Sequence, residues 1–149
     1  MTETFVALWQ NTEQTILRTI DKITNENIGK RIKPEMRSIA VIAFHIGESQ
    51  CTFAKMLFGS DITQISRQTL GSDDVKPEDI SNAEELKAFV RASCDAVKQG
   101  IATMSESSWE DTISTPWKAE LRRSILLNFV MGHSMQHLGQ IIQALKYGS

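Results

Sequence analysis

The chain has 149 residues and a net charge of −2, with 16 basic and 18 acidic side chains interspersed along it. That balance excludes the basic stripe of a nucleic-acid footprint, and the length is that of a single domain spanning residues 1–149, large enough to bury a core without disulfides. No apolar run approaches the roughly 20 residues that cross a bilayer, and Met1-Thr2-Glu3-Thr4 does not open like a signal peptide, so a soluble cytoplasmic protein is expected.

The first predicted element is a helix from about Glu3 to Ile23, with Phe5, Leu8, Trp9, Thr12, Ile16, Ile20 and Ile23 on one face. Asn25, Asn27 and Gly29 end it. After a short basic connector, Pro34 and Glu35 suit the first turn of a second helix that runs to Phe58 and stops at Gly59. Its buried side carries Ile39, Ile42, Ile46, Phe53, Met56 and Leu57, and His45 borders that side.

The stretch from Gly59 to Ile80 holds Gly, Ser, Asp and Pro, with a weak helical hint around Ile62–Leu70. A connection this long in a compact domain reads as a crossover along the bundle, which makes the second and third helices parallel. Ser81-Asn82-Ala83-Glu84 reads as a capping box opening the third helix, whose stripe is Leu86, Val90, Val97, Ile101 and Met104. Ser105 to Pro116 is expected as a loop containing Trp109. The last helix enters at Thr115-Pro116 or slips to Ala119, and Gly148 ends it. No stretch alternates with period two for long enough to read as a strand. The expectation is an all-α four-helix bundle, up-down-down-up, with a long crossover between helices two and three and each stripe buried against the other three.

Chemistry concentrates in the last helix. Leu126, Phe129, Val130, Ile141, Ala144 and Leu145 form its stripe, and His133 and His137 fall on it one turn apart. Residues at i and i+4 stand one above the other, about 5–6 Å apart at Cβ, so both imidazoles reach a single ion. The chain has three histidines, and His45 on the second helix is the one left to complete the set. A lone histidine on an apolar face is usually a core residue satisfied by one hydrogen bond. A pair would leave several ring nitrogens to satisfy in the core, at about 1–3 kcal/mol each, and a shared metal removes that cost. Three neutral nitrogens leave at least one coordination position open, as in catalytic sites.

The HExxH pattern of zincin proteases is absent, because Ser134 follows His133, and so are the Glu-x-x-His pairs of di-iron bundles and a CxxCH haem motif. Glu48, one turn after His45, is a candidate general base, acceptor for a ligand histidine's N–H, or fourth ligand. Gln140, one turn beyond His137, is a candidate for orienting a ligand or substrate. A surface carboxylate and a core-edge glutamine are the plainer readings. Trp9 and Trp117 read as core, as do Met56, Met104, Met131 and Met135 at the core or its edge, and Cys51 and Cys94 read as buried free thiols.

The chain resembles the DinB family of metal-dependent bundles (DinB/YfiT-like). The resemblance rests on His133-Ser134-Met135-Gln136-His137-Leu138-Gly139-Gln140 with Gly148 at the helix end, and on Ser38-Ile39-Ala40-Val41-Ile42-Ala43-Phe44-His45. It implies a divalent metal, zinc or nickel first, with iron or copper also suited to imidazoles, held by His45, His133 and His137. It implies a small-molecule substrate, with low-molecular-weight thiols as one class, and transferase, isomerase or hydrolase chemistry. A non-catalytic, stress-related metal- or ligand-binding module and a structural bundle acting through a partner or as a homodimer are the alternatives. This chain departs from many members in having Arg37 where they place an aromatic, and Leu138 where they place an arginine before Gly-Gln.

Overall fold

The computed structural model describes residues 1–62, 67–71, 74–117 and 119–149. Helix α1 spans Thr2–Ile20, α2 spans Ile39–Phe58, α3 spans Ala83–Thr103 and α4 spans Arg123–Tyr147. Among the described residues, no helix is long and apolar enough to cross a membrane.

Local hydrogen bonding explains the helix ends. The turns that follow α1 tighten, with Ile23 N–H donating to Ile20 O at 2.9 Å, and Asn27 then closes the end by donating to Lys22 O at 2.9 Å and accepting from Thr24 N–H at 2.8 Å. Helix α2 begins at Ile39, not at Pro34. Lys33–Met36 is a separate turn, Ser38 Oγ accepts from Val41 N–H at 3.4 Å, and Ile39 and Ala40 N–H donate to Lys30 O and Ile28 O of the connector. The connector therefore satisfies donors that an earlier helix start would have placed elsewhere. Gly59 ends α2 in the left-handed conformation, φ 71°, where glycine is favoured. The cap of α3 is Asn82 rather than Ser81: its Oδ1 accepts from Glu84 and Glu85 N–H at 3.0 and 3.3 Å. The helical hint at Ile62–Leu70 falls largely on residues 63–66, outside the described residues.

The segment before α4 differs from expectation. A 3₁₀ turn at Ser107–Glu110 buries Trp109, and strands β1, Thr112–Ser114, and β2, Glu120–Arg122, pair antiparallel in the register Ile113↔Leu121. Three-residue strands are too short to show alternation. The pairing holds the chain until Arg123 N–H donates to Asp111 O at 2.9 Å, so α4 enters later than Thr115-Pro116 or Ala119.

Cross-helix contacts give the topology. Gly47, Gln50 and Phe58 on α2 meet Phe89, Ser93 and Gly100 on α3 in rising order, so those helices are parallel. His45 and Phe53 on α2 meet His137 and Phe129 on α4 in falling order, and Trp9 on α1 and Asp21 at its C-terminal cap meet Cys94 and Arg91 on α3 likewise. The bundle is thus up-down-down-up. Its main packing pairs α1 and α2 each with α3 and α4, so each stripe is buried chiefly against two neighbours instead of three. The core runs through Trp9, Ile16 and Ile20, through Ile39, Ile46 and Leu57, through Leu86, Phe89 and Ile101, and through Leu126 and Ile141. Leu8, Phe129, Met135 and Trp117, expected in the core or at its edge, are exposed.

The parallel pair α2/α3 locks through two glycines. Phe89 of α3 fills the space a methyl on Gly47 would need, and Phe58 of α2 does the same at Gly100. Phe89 is fully buried and stacks on Phe44 at 5.2 Å, so it has nowhere to move. Gly47→Ala is therefore expected to destabilise by about 1–2 kcal/mol, overpacking outweighing the gain in helix propensity. Chemical denaturation checks it, and an unchanged midpoint would refute the tight seat at Gly47.

Candidate metal centre

His45 projects from the middle of α2, and His133 and His137 project from successive turns of the antiparallel α4. Their ring nitrogens, one from each residue, all lie within 4.8 Å of one another. His137 Nε2 and His133 Nε2 are 3.2 Å apart. Two nitrogens on a tetrahedral ion with bonds of about 2.0–2.1 Å sit about 3.3 Å apart, so this pair already has the spacing of a shared ion. The three rings are edge-on to one another, with centroids 4.5–5.1 Å apart.

Tautomer and charge support lone pairs facing inward. His137 Nδ1 lies 2.8 Å from Gln140 Oε1, which can only accept, so Nδ1 carries the proton and Nε2 is free to coordinate. Burial holds the His133 pKa down to about 4, with the neighbouring His137 and His45 adding to it. His45 is lowered too, first by burial, then by His137 and Arg37, against an opposing pull from Glu48. All three rings are half-buried at the border of the stripe rather than in the interior, since the fully buried positions of α4 are Leu126, Leu127, Val130, Ser134, Leu138, Ile141 and Ala144.

Those pKa directions fix a pH dependence. Between pH 6.5 and about 4 the unfolded chain accepts a proton on residue 133 that the folded chain refuses, so the metal-free protein loses stability as pH falls through that window. A thermal-unfolding series across it should show the decline, flattened in His133→Asn. Imidazole NMR that placed His133 at or above its ordinary value would contradict the burial described here.

Two clefts reach the cluster. One, about 260 Å³, is lined by Ile32, Glu35, Met36, Arg37, Ile42, His137 and Gln140. The other, about 290 Å³, is lined by Arg37, Val41, Phe44, His45, Glu48 and Glu78. Glu48 does sit beside His45, but Arg67 of the crossover holds both its oxygens, at 2.9 and 2.8 Å. The sequence offers no cue to that pairing, because the partners are 19 residues apart across an irregular segment.

A polar network behind the site was also not legible. Gln50, fully buried, donates to Ser134 Oγ at 3.3 Å and accepts from Ser93 Oγ at 2.7 Å and Cys94 Sγ at 3.3 Å. Ser134 directly follows His133, so the network ties the ligand helix to α2 and α3. The only signal was a polar residue inside each apolar stripe. Cys51 and Cys94 are buried free thiols, and burial pushes Cys94 up to about 12, which keeps it protonated.

No curated protein matches the chain. Solved structures share its fold, two of them over nearly the whole chain. A conserved protein from Enterococcus faecalis matches at TM-score 0.78 and 16% identity, over 99% of this chain and 96% of that one. A DinB-like protein from Bacillus cereus matches at TM-score 0.76 and 16% identity, over 97% of this chain and 90% of that one. The family model of the DinB superfamily matches residues 7–141. A histidine triad that could hold a metal ion, on a four-helix bundle matched over nearly its whole length, is thus carried by a chain that belongs to the DinB superfamily.

Proposed function

We propose that the protein is a metal-dependent enzyme that holds one divalent ion on His45, His133 and His137 and acts on a small molecule, by thiol-dependent transfer or isomerisation. The observation that carries this reading is the convergence of three imidazole nitrogens on one point, open to two clefts instead of sealed. Three imidazoles suit zinc, nickel, copper or iron, and the family resemblance puts zinc or nickel first. A bound ion of this kind supplies Lewis acidity to an oxygen or sulfur donor at the open position.

The protein's own groups do the rest. Gln140 fixes the His137 tautomer and ring plane. Phe44 and Val41 line the apolar side of the cleft beside His45. Glu48 is assigned to orient a substrate hydrogen-bond donor along that side. Because Arg67 occupies both carboxylate oxygens, Glu48 is poorly placed to take a proton from an attacking water, which favours a thiol nucleophile over hydrolysis.

The test uses protein purified without a metal-binding tag. Elemental analysis should find close to one zinc or nickel per chain. The loaded protein should then turn over electrophiles with low-molecular-weight thiols and stay inactive on ester and amide panels. Bound metal with silence on every panel would favour a non-catalytic binding module instead, and absence of metal uptake would sink the metal reading.

A further inference from the structure

The two ends of the metal cluster differ in chemistry, and that difference specifies a ligand. At one end, between β1 and β2, Thr115 N–H and Oγ1 both donate to Ala119 O, at 3.0 and 2.8 Å. The turn lays Trp117 against α4. Trp117 and Phe129 are 50% and 47% exposed, yet they pack on each other at 5.9 Å and on the buried Phe53 at 6.2 and 5.6 Å. Phe129 then stacks on the His133 ring, 6.0 Å between centroids and 25° between planes. Single exposed apolar side chains are ordinary, but these are contiguous with one another and with a ring of the cluster.

At the other end stands Arg37. It lines both clefts, one with His137 and Gln140 and one with His45. It is exposed and has no ion-pair partner among the described residues. Because α2 and α4 are antiparallel, Arg37 and Gln140 lie at one end of the cluster and Phe53 and Phe129 at the other. Phe53 is eight residues along α2 from His45, about 12 Å of helix at 1.5 Å per residue. Glu35 and Glu78 share the clefts with Arg37 while Glu48 is paired with Arg67, so one guanidinium stands against two carboxylates before any ion is bound. A polyphosphate is disfavoured there, and a single carboxylate fits.

We propose that the site binds an elongated monocarboxylate: an apolar or aromatic body on Trp117 and Phe129, the reacting atom at the three histidines, and the carboxylate at Arg37. The assignment of the middle position rests on the proposed metal-dependent function. The two ends stand on their own geometry.

The probes are 6-phenylhexanoate, its neutral carboxamide, and hexanoate, titrated calorimetrically into metal-loaded and metal-free protein. The phenyl carboxylate should bind about tenfold or more tighter than either of the others. Arg37→Gln should weaken the carboxylate about tenfold and leave the carboxamide unchanged, as loss of one charge-assisted contact predicts. Trp117→Ala should weaken both phenyl probes and leave hexanoate unchanged. Both positions are exposed, and circular dichroism and metal content confirm that each variant keeps its fold and its ion. Trp9 and Trp109 are fully buried, so quenching of the accessible Trp117 by the phenyl probes gives a second reading. Equal affinity for the three probes in the unmodified protein, an Arg37→Gln protein that weakens acid and amide alike, or a Trp117→Ala protein that weakens hexanoate as much as the phenyl probes, would overturn the two-ended site. Failure to take up metal would overturn the metal function alone, because the discrimination among probes is also read in the metal-free protein.

Discussion

Replacing His133 with alanine is expected to abolish stoichiometric metal binding while leaving the helical spectrum intact. His133 Nε2 faces His137 Nε2 at 3.2 Å, so its loss removes one of the two closest donors and leaves a pair that spans two helices. With zinc at a thousand times its dissociation constant, binding to the native state alone stabilises by about 4.1 kcal/mol. For a chain near 150 residues that is a rise of about 8–16 °C in Tm. The His133→Ala protein should show almost none of it. Gln140→Ala should give a partial loss, about 10–100-fold in affinity, because it frees the ring that Gln140 orients. A variant that still binds one ion per chain tightly would show that the three imidazoles are not the ligand set. Its fold should survive because the ring is half-buried and the packing of α4 rests on Leu126, Val130, Leu138 and Ile141.

The second large effect is expected at Gln50. Its amide is 0% exposed and is the hub joining Ser134 on α4 to Ser93 and Cys94 on α3. Gln50→Ala opens a cavity and strands the Ser134 hydroxyl, for a loss of about 2–4 kcal/mol. Tm should fall by about 4–16 °C. Metal affinity should fall with it, because the Ser134 link fixes the height of α4 against α2 and hence of His133 against His45. Gln50→Glu makes the sign testable. A carboxyl buried there is held protonated, so its folded pKa lies above the unfolded value. Its stability is full below about pH 4 and drains away as pH rises, opposite to the trend set by His133. A Gln50→Glu protein as stable at pH 8 as at pH 5 would mean that the network is wet.

Much of this could be read from the residues because it is local. The apolar periodicity of each helix, the stop at Gly59 and the i, i+4 pair His133/His137 depend on neighbours within two turns. The length of the crossover alone made α2 and α3 parallel. Errors clustered where a local rule met a distant partner. Pro34 suits a helix start, yet Ile39 and Ala40 N–H are taken by the carbonyls of Lys30 and Ile28, and the helix begins at Ile39. Phe129 keeps helical spacing but lies on the rim, with one side on Phe53 of the core and another on the exposed Trp117. Trp117 itself was placed in the core by hydrophobicity, and the hairpin puts it at the surface.

By itself the sequence determined that four amphipathic helices would bundle and that two imidazoles would share one face of the last. Periodicity within a helix is a property of contiguous residues, and burial of apolar stripes leaves few ways to arrange them. Tertiary structure brought the expected His45 to that pair, and it alone decided that Arg67 claims Glu48, that Gln50 bridges three helices, and that Arg37 and Trp117 frame the site at opposite ends. Each of those contacts joins residues far apart along the chain. Their meeting depends on helix direction, relative height and the path of irregular segments, and no local pattern encodes these.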